Sequence, residues 1–176
     1  YKVNGFLREG EISIFKKNKL EKINFFFNIT KNNFNFTDIS FDTNKINFLS
    51  ERLNVKKDKK DYLLEGNIIN KNSLLNDELL KIIKLKYPQF NLTNTNFESN
   101  NDFSFNINNK FKVKNLAINS SILIDNSQFK KNNLINKNFI EINDLIELKD
   151  HEIKIFYANK KLSIEGGGQV KLQNKF

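Results

Sequence analysis

The stretch Ile23-Asn24-Phe25-Phe26-Phe27-Asn28-Ile29, continued by Asn33-Phe34-Asn35-Phe36, decides the fold class of this chain. Its odd-numbered positions from 23 to 29 are all apolar, and Asn fills most of the positions between apolar residues. Successive side chains of a β-strand point to opposite faces of a sheet, so a period of two indicates a strand with one apolar and one polar face. Lys31 and Asn32, between the two runs, suit the tight turn of a hairpin. The two runs therefore predict a pair of amphipathic antiparallel strands.

The same alternation continues along most of the chain. Its phase changes at Thr37-Asp38, as a β-bulge would cause, and changes again before Leu53. Phe111 with Val113 begins a further strand. The apolar residues alternate with polar ones, which favours antiparallel meanders over a buried parallel sheet. The predicted fold class is all-β: a long antiparallel, curved, amphipathic sheet that forms an open groove or taco. A β-sandwich or a β-solenoid uses the same pattern, and the sequence leaves both alternatives open.

A segment near residues 74–87 departs from the strand pattern. Asn76 can cap a helix, and Asp77 and Glu78 then lie in its first turn, where carboxylates complement the helix dipole. Leucine and isoleucine residues three or four apart provide one apolar stripe. Pro88 ends the segment. These features predict one short amphipathic helix inserted among the strands.

The length of 176 residues is enough for one domain or for one section of a repetitive assembly. The chain begins at Tyr1 and contains no Met, so we expect it to be a segment of a longer protein. It contains no Cys, which excludes disulfides and thiolate metal sites. No apolar run approaches the roughly 18 residues of a membrane span, so any anchor is expected outside this segment. We interpret residues 1–176 as a single section of a larger repetitive β protein.

The formal net charge of +9 suggests an anionic partner, but composition offers a second explanation. Lys, Asn, Ile and Phe are abundant and share A/T-rich codons, so a genome of high A+T content would produce the same profile. Arg occurs only as Arg8 and Arg52, so the forked guanidinium that clamps phosphates is scarce. We therefore favour a solvated lysine face over a basic binding surface, and we expect no specific nucleic-acid partner.

Residue types that carry catalysis are sparse in this chain. His151 is the single histidine and lies in a charged stretch, where an imidazole is more often solvated than catalytic. Gly166-Gly167-Gly168 lacks the Lys-Ser/Thr of a phosphate loop and lies within strand periodicity, so a bulge or a close backbone approach is the better interpretation. We expect no catalytic residue, no metal site and no cofactor, and hence a protein that is not an enzyme.

The segments Val3-Asn4-Gly5, Leu64-Glu65-Gly66-Asn67-Ile68 and Leu162-Ser163-Ile164-Glu165-Gly166 share a cadence of strand, Gly-marked turn and strand. With the alternating runs between them, they resemble the AsmA-like superfamily, closest to its YhdP and TamB branches. The resemblance implies a β-groove in the periplasm of a Gram-negative bacterium, within a protein anchored in the inner membrane. It further implies a non-enzymatic role, in which the apolar face carries phospholipid between the inner and outer membranes. The implied partners are phospholipid acyl chains and neighbouring β-groove segments of the same protein.

The residues expected to bind lipid are the large apolar residues on the alternating face. They are Ile23, Phe25, Phe27, Phe34, Phe36, Phe41, Phe48, Val55, Leu64, Phe103, Phe105, Ile118, Ile122, Ile155 and Ile164. Lysines at the rim could attract anionic headgroups. The alternative is a closed structural or adhesive β domain of a surface protein, a sandwich or solenoid in which these residues are core packing.

Overall fold

Our computed structural model describes residues 1–14, 18–75, 91–130 and 145–172, in which the alternating sequence forms β-strands joined by turns. These strands lie in one antiparallel sheet whose spatial order is the order of the chain, so the predicted all-β meander is confirmed. The strands are β1 (Lys2–Ile14), β2 (Asn18–Thr30), β3 (Asn33–Thr43), β4 (Ile46–Asp58), β5 (Asp61–Leu74), β6 (Asn91–Asn108), β7 (Val113–Lys130), β8 (Leu145–Ala158) and β9 (Lys161–Leu172).

The sheet is open and consists of a single layer. Strands contact only the strands that precede and follow them in the chain, and β1 and β9 do not meet to close a barrel. No second sheet packs on the first within the described residues, so the open-sheet prediction holds there and the sandwich and solenoid alternatives do not. The only hydrophobic side chain classed as buried among the described residues is Ile46, at 2% exposure. The sheet therefore has two broad surfaces and no sealed core in this part of the chain.

Bulges occur where the sequence changes phase. In β3, the register with β2 shifts next to Asp38, whose φ is 51°. In β4, the register with β5 shifts between Leu49 and Leu53. The extra residue at each bulge returns the apolar side chains to one face, so Phe36 and Phe41 share a face despite their odd spacing. The bulge predicted at Thr37-Asp38 is therefore confirmed, and the phase change before Leu53 also coincides with a register shift.

Asparagine side chains support the backbone at two of the bulges. Asn67 Oδ1 accepts hydrogen bonds from the backbone N–H groups of Glu51 at 3.0 Å and Arg52 at 3.4 Å. Asn24 Oδ1 accepts one from the backbone N–H of Glu9 at 3.1 Å. A bulge interrupts the ladder and leaves N–H groups that need another acceptor. Some of the abundant asparagine therefore has a structural use that codon bias alone does not explain.

Two hairpins have tight two-residue turns with positive φ at both central residues. Asn44 and Lys45 link β3 to β4 with φ values of 50° and 64°, and Asn159 and Lys160 link β8 to β9 with values of 53° and 62°. Positive φ at both central residues is the requirement of the turn whose twist matches that of the flanking strands. Asn tolerates this conformation better than most residues, which explains why it leads both turns.

Other predictions at the element boundaries need correction or fall outside the described residues. Phe111 does not begin a strand: it lies in the β6–β7 turn with a φ of 56°, and β7 starts at Val113. Leu74, at the edge of the predicted helical segment, is the last residue of β5, and residues 76–87 of that segment are outside the described part of the chain. None of the residues that are described forms a helix long and apolar enough to cross a membrane.

Candidate functional site

A continuous row of paired residues crosses one face of the sheet. Each of the nine strands contributes one residue, and each residue is the register partner of the next. In strand order the row is Gly5, Phe27, Phe36, Leu53, Gly66, Phe103, Ile118, Tyr157 and Leu162. At about 4.8 Å between strands, the row is about 38 Å long. The surface that contains it is called the apolar face below.

All fifteen residues predicted to line a lipid site lie on the apolar face. A second row, two residues along each strand from the first, pairs Phe34 with Val55, Val55 with Leu64, and Leu64 with Phe105. The remaining members lie an even number of residues from these rows or are returned to the face by the bulges. Most are half-buried by their neighbours, whereas Ile164 on the edge strand β9 is 61% exposed.

Aromatic rings concentrate in one part of this face. The rings of Phe25 and Phe36 meet edge to face with centroids 5.3 Å apart, and those of Phe103 and Phe105 lie 6.0 Å apart. Edge-to-face and offset pairs are favoured by the quadrupole of the ring. Six phenylalanines on β2, β3 and β6 form this part of the face, which we call the aromatic sector. They are Phe25, Phe27, Phe34, Phe36, Phe103 and Phe105.

Two glycines let the aromatic rings lie close to the backbone. The ring of Phe27 occupies the space in which a Cβ of Gly5 would lie. A Cβ at Gly66 would be 3.0 Å from Cζ of Phe103 and 2.8 Å from the carbonyl oxygen of Arg52. Aromatic side chains cover the exposed backbone of a cross-strand glycine in this way. Because each of these rings lies over a glycine, the aromatic sector protrudes little from the sheet and has a smooth surface.

A polar patch interrupts the apolar face on the central strands. Asn70 and Ser99 are register partners, and so are Asn101 and Ser120; we call these four residues the polar patch. Asn70 is 1% exposed and Ser120 is 6% exposed. Asn101 Nδ2 donates to the carbonyl oxygen of Ile68 and to Ser99 Oγ, each at 3.0 Å. The sequence gives no signal for this patch, because its four residues come from three strands and meet only through strand register.

Two buried hydroxyls lie further along β6 and β7, beyond the patch. Thr95 and Ser127 are 2% and 0% exposed, and their hydroxyl oxygens lie 2.6 Å apart. A buried hydroxyl is tolerated when it is hydrogen-bonded, so the pair stabilises the region in which it lies. The apolar face therefore has two chemically different parts.

The opposite face carries a smaller aromatic pair. Phe6 and Phe26 are 59% and 52% exposed, with ring centroids 6.4 Å apart. The guanidinium of Arg8 lies 5.0 Å from the centroid of the Phe6 ring, a cation–π contact. The only sequence signal for this pair is Phe26, which breaks the alternation of β2 with an apolar residue on the polar side.

Ion pairs stabilise the sheet at the far end of β2 and β3. Lys22 Nζ lies 2.9 Å from an Asp42 carboxylate oxygen, and Asn47 Nδ2 donates to the same carboxylate at 2.7 Å. The hydrogen bond from Asn47, followed by the one from Lys22, holds the pKa of Asp42 below its ordinary value. Hydrogen bonds to Glu11 and Glu21 raise the pKa of Lys19. Among the described residues, no three His, Asp or Glu side chains are placed to hold a metal ion.

Comparison with family models, with curated protein sequences and with solved structures finds no match to this chain. The function therefore has to be inferred from the geometry and chemistry of the sheet. The feature with the clearest chemistry is the aromatic sector, on a face that no second layer covers in the part of the chain that the structure describes.

Proposed function

We propose that the apolar face binds phospholipid acyl chains and carries them along the sheet without any catalytic step. The observation that carries the proposal is the nine-residue row, which crosses a single-layer sheet from one edge to the other. A sheet that used this face as a core would need a second layer, and none is present among the described residues. Apolar surface left uncovered and bordered by polar residues is typical of a binding site.

An acyl chain matches this surface in chemistry and in the strength of the interaction. Burying methylene groups contributes about 0.8 kcal/mol each. A chain of about 16 carbons would therefore gain up to about 13 kcal/mol on leaving water, and roughly the same amount in a bilayer. Exchange between bilayer and sheet is then nearly balanced. The aromatic sector offers no directional group that would hold the chain in one place, so lipid could move along it.

The cellular setting follows from the resemblance to the AsmA-like superfamily. We infer a periplasmic segment of a protein anchored in the inner membrane, which moves phospholipid between the inner and outer membranes and is not an enzyme. An open antiparallel sheet with one apolar face is the architecture that such a role requires, and this supports the assignment.

The two edges of the sheet support an arrangement of consecutive segments. Outer backbone groups of β1 and β9 have no strand partner among the described residues. Exposed edges readily pair with another strand. We therefore infer that neighbouring β segments of the same protein continue the sheet on one or both sides and lengthen the apolar face.

Lipid extraction with matched variants tests the proposal. Phe27 and Phe26 are adjacent, but they lie on opposite faces of β2. Purified 176-residue chain is expected to carry phospholipid detectable by mass spectrometry, and Phe27→Asp to lose it. Phe26→Asp introduces the same charge one residue away and is expected to retain it. Lipid-free wild-type protein that is stably folded would contradict the proposal.

Photo-crosslinking gives an answer even if the Asp variants unfold. A photoreactive phenylalanine analogue at position 36 is expected to crosslink to phospholipid, whereas the same analogue at position 26 is not. Equal crosslinking at both positions would contradict selective binding by the apolar face. Crosslinking of position 36 to protein alone would indicate a closed structural or adhesive domain, in which another sheet covers this face.

A further inference from the structure

The positive charge of the chain collects at one end of the sheet. In an antiparallel meander, every second turn lies at the same end. This end contains Lys2 on β1 and the turn regions 30–33, 56–61, 108–114 and 158–161. We call these residues the basic end.

The basic end accounts for the whole net charge of the protein. Its residues include eleven of the 29 Lys and Arg residues and two of the 20 acidic residues, a balance of +9. The rest of the chain has 18 residues of each sign and is neutral overall. A/T-rich codons can make lysine frequent, but they do not place it at one end of a folded sheet. The expectation of a generally solvated lysine face does not account for this distribution.

The lysines at the basic end are exposed and mostly lack acidic neighbours. The ion pair between described residues there joins Lys114 Nζ to Asp61 Oδ2 at 3.3 Å. At the far end of β2, by contrast, Lys19 contacts both Glu11 and Glu21 within 2.9 Å. Like charges held together without counter-charges repel one another, and an anionic surface relieves that repulsion.

An aromatic side chain projects from the middle of the basic end. Phe111 is 84% exposed and lies between Lys110 and Lys112 in the β6–β7 turn. Asn108 Oδ1 accepts hydrogen bonds from the backbone N–H groups of both lysines, each at 3.0 Å. The φ of Phe111 is 56°, which is unfavourable for a bulky residue and gains no burial within the described chain. A hydrogen-bonded turn that holds an apolar ring out into solvent between two cations is suited to the interface of a membrane.

We propose that the basic end docks on an anionic phospholipid bilayer, with Phe111 inserted at the depth of the headgroups. A nucleic acid fits less well, because the basic end contains no Arg and its exposed ring is at a turn tip and not on a stacking platform. The docking does not depend on lipid binding by the apolar face. The two surfaces are adjacent, however, because Val55, the partner of Phe34, directly precedes Lys56 of the basic end.

Vesicle binding by the whole chain tests this docking. Vesicles of phosphatidylglycerol and phosphatidylcholine in equal parts are expected to sediment the protein at low salt, whereas pure phosphatidylcholine vesicles are not. Each lysine near an anionic surface contributes about 1 kcal/mol, so Lys110→Gln with Lys112→Gln should lower the partition coefficient about thirtyfold. Phe111→Asn suits the positive φ and should lower it about tenfold.

Matched controls separate docking from general charge and from lipid carriage. Lys71→Gln with Lys171→Gln removes two exposed lysines outside the basic end and should change the partition coefficient less than twofold. Phe27→Asp should still dock, even though it is expected to lose bound lipid. Equal losses for the two lysine pairs, equal binding of Phe27→Asp to neutral and anionic vesicles, or no vesicle binding would each overturn the proposal. Tight binding of a single-stranded oligonucleotide without vesicle binding would also overturn it in favour of a nucleic-acid surface.

Discussion

The aromatic sector and the polar patch occupy the same face of the same sheet, but the first is held by apolar packing and the second by hydrogen bonds. In the aromatic sector, rings such as Phe27 and Phe103 lie against cross-strand glycines and present a smooth apolar surface. In the polar patch, side chains such as Asn101 are oriented by hydrogen bonds to backbone and to a neighbouring hydroxyl. The aromatic sector can bind an apolar ligand because its side chains have no polar atoms that need hydrogen-bond partners. The side chains of the polar patch already form hydrogen bonds with neighbouring groups of the sheet.

The contrast suggests where a bound acyl chain would lie. An acyl chain gains little on the polar patch, because its hydrogen-bonded side chains offer polar atoms where the aromatic sector offers apolar contacts. A chain on the aromatic sector loses no hydrogen bonds and gains apolar contacts. Lipid should therefore follow the aromatic sector, near the basic end, and avoid the polar patch. The following predictions test this difference in order of decreasing effect.

The largest effect is expected from a charge in the aromatic sector. Phe36→Asp places a carboxylate beside the Phe25 ring and should lower the affinity for a fluorescent fatty acid about a hundredfold, or about 2.7 kcal/mol. Ser99→Asp places the same charge in the polar patch and should lower it less than threefold. Similar losses in the two variants would show that the aromatic sector is not the preferred path.

A smaller effect, on stability, is expected from filling the space beside a glycine of the aromatic sector. Gly66→Ala brings a Cβ to 2.8 Å from a backbone carbonyl oxygen, which cannot move cheaply, and should destabilise the fold by about 2 kcal/mol in urea denaturation. Gly167→Ala is the matched control, because a Cβ there has no atom within 4 Å. Its free energy of unfolding should stay the same or rise by about 0.5 kcal/mol.

The hydroxyl pair beside the polar patch should show coupling. Ser127→Ala removes the 2.6 Å contact with Thr95 and should lower the free energy of unfolding by about 1 kcal/mol. The double variant with Thr95→Val should lose less free energy of unfolding than the two single variants lose together, because the contact can be lost only once. Strict additivity in a double-mutant cycle would show that the pair does not stabilise the region.

The smallest effect is expected at Asp42, which lies outside both regions and serves as a reference for changes in global stability. Because its pKa in the folded state is lowered, its contribution is complete above the ordinary carboxyl value and is lost as pH falls through the folded pKa. Asp42→Asn should therefore lower the melting temperature by roughly 1–2 °C at pH 6. The difference from wild type should shrink towards pH 3, and a difference that grows on acidification would contradict the assignment.

The fold was predictable from sequence because its signal is local. Alternation in β2 and the phase change at Asp38 are visible within a few residues, and they predict the strands and the bulge in β3. The residues of the apolar face follow from the same alternation. Phe111 was misassigned because its apolar character matches the strand pattern, whereas its position is set by backbone hydrogen bonds to Asn108.

Features that depend on strand register were not predictable. Asn70 and Ser99 are far apart in the chain and become one patch only because β5 pairs with β6 in a particular register. The basic end has the same origin, since Lys2 and Lys161 come from opposite ends of the sequence. Composition gives the frequency of lysine, but topology decides where lysines gather.

The pairing of strands in chain order has consequences for how the protein unfolds and for how strands could be added to it during evolution. Because each strand contacts only its two sequence neighbours, cohesion passes from strand to strand as in a linear array. Amide hydrogen exchange should then be fastest in β1 and β9 and slowest near β5, with no single cooperative core. For the same reason, a hairpin could be added or removed without disturbing distant pairings, so the span of the apolar face can change in steps of two strands.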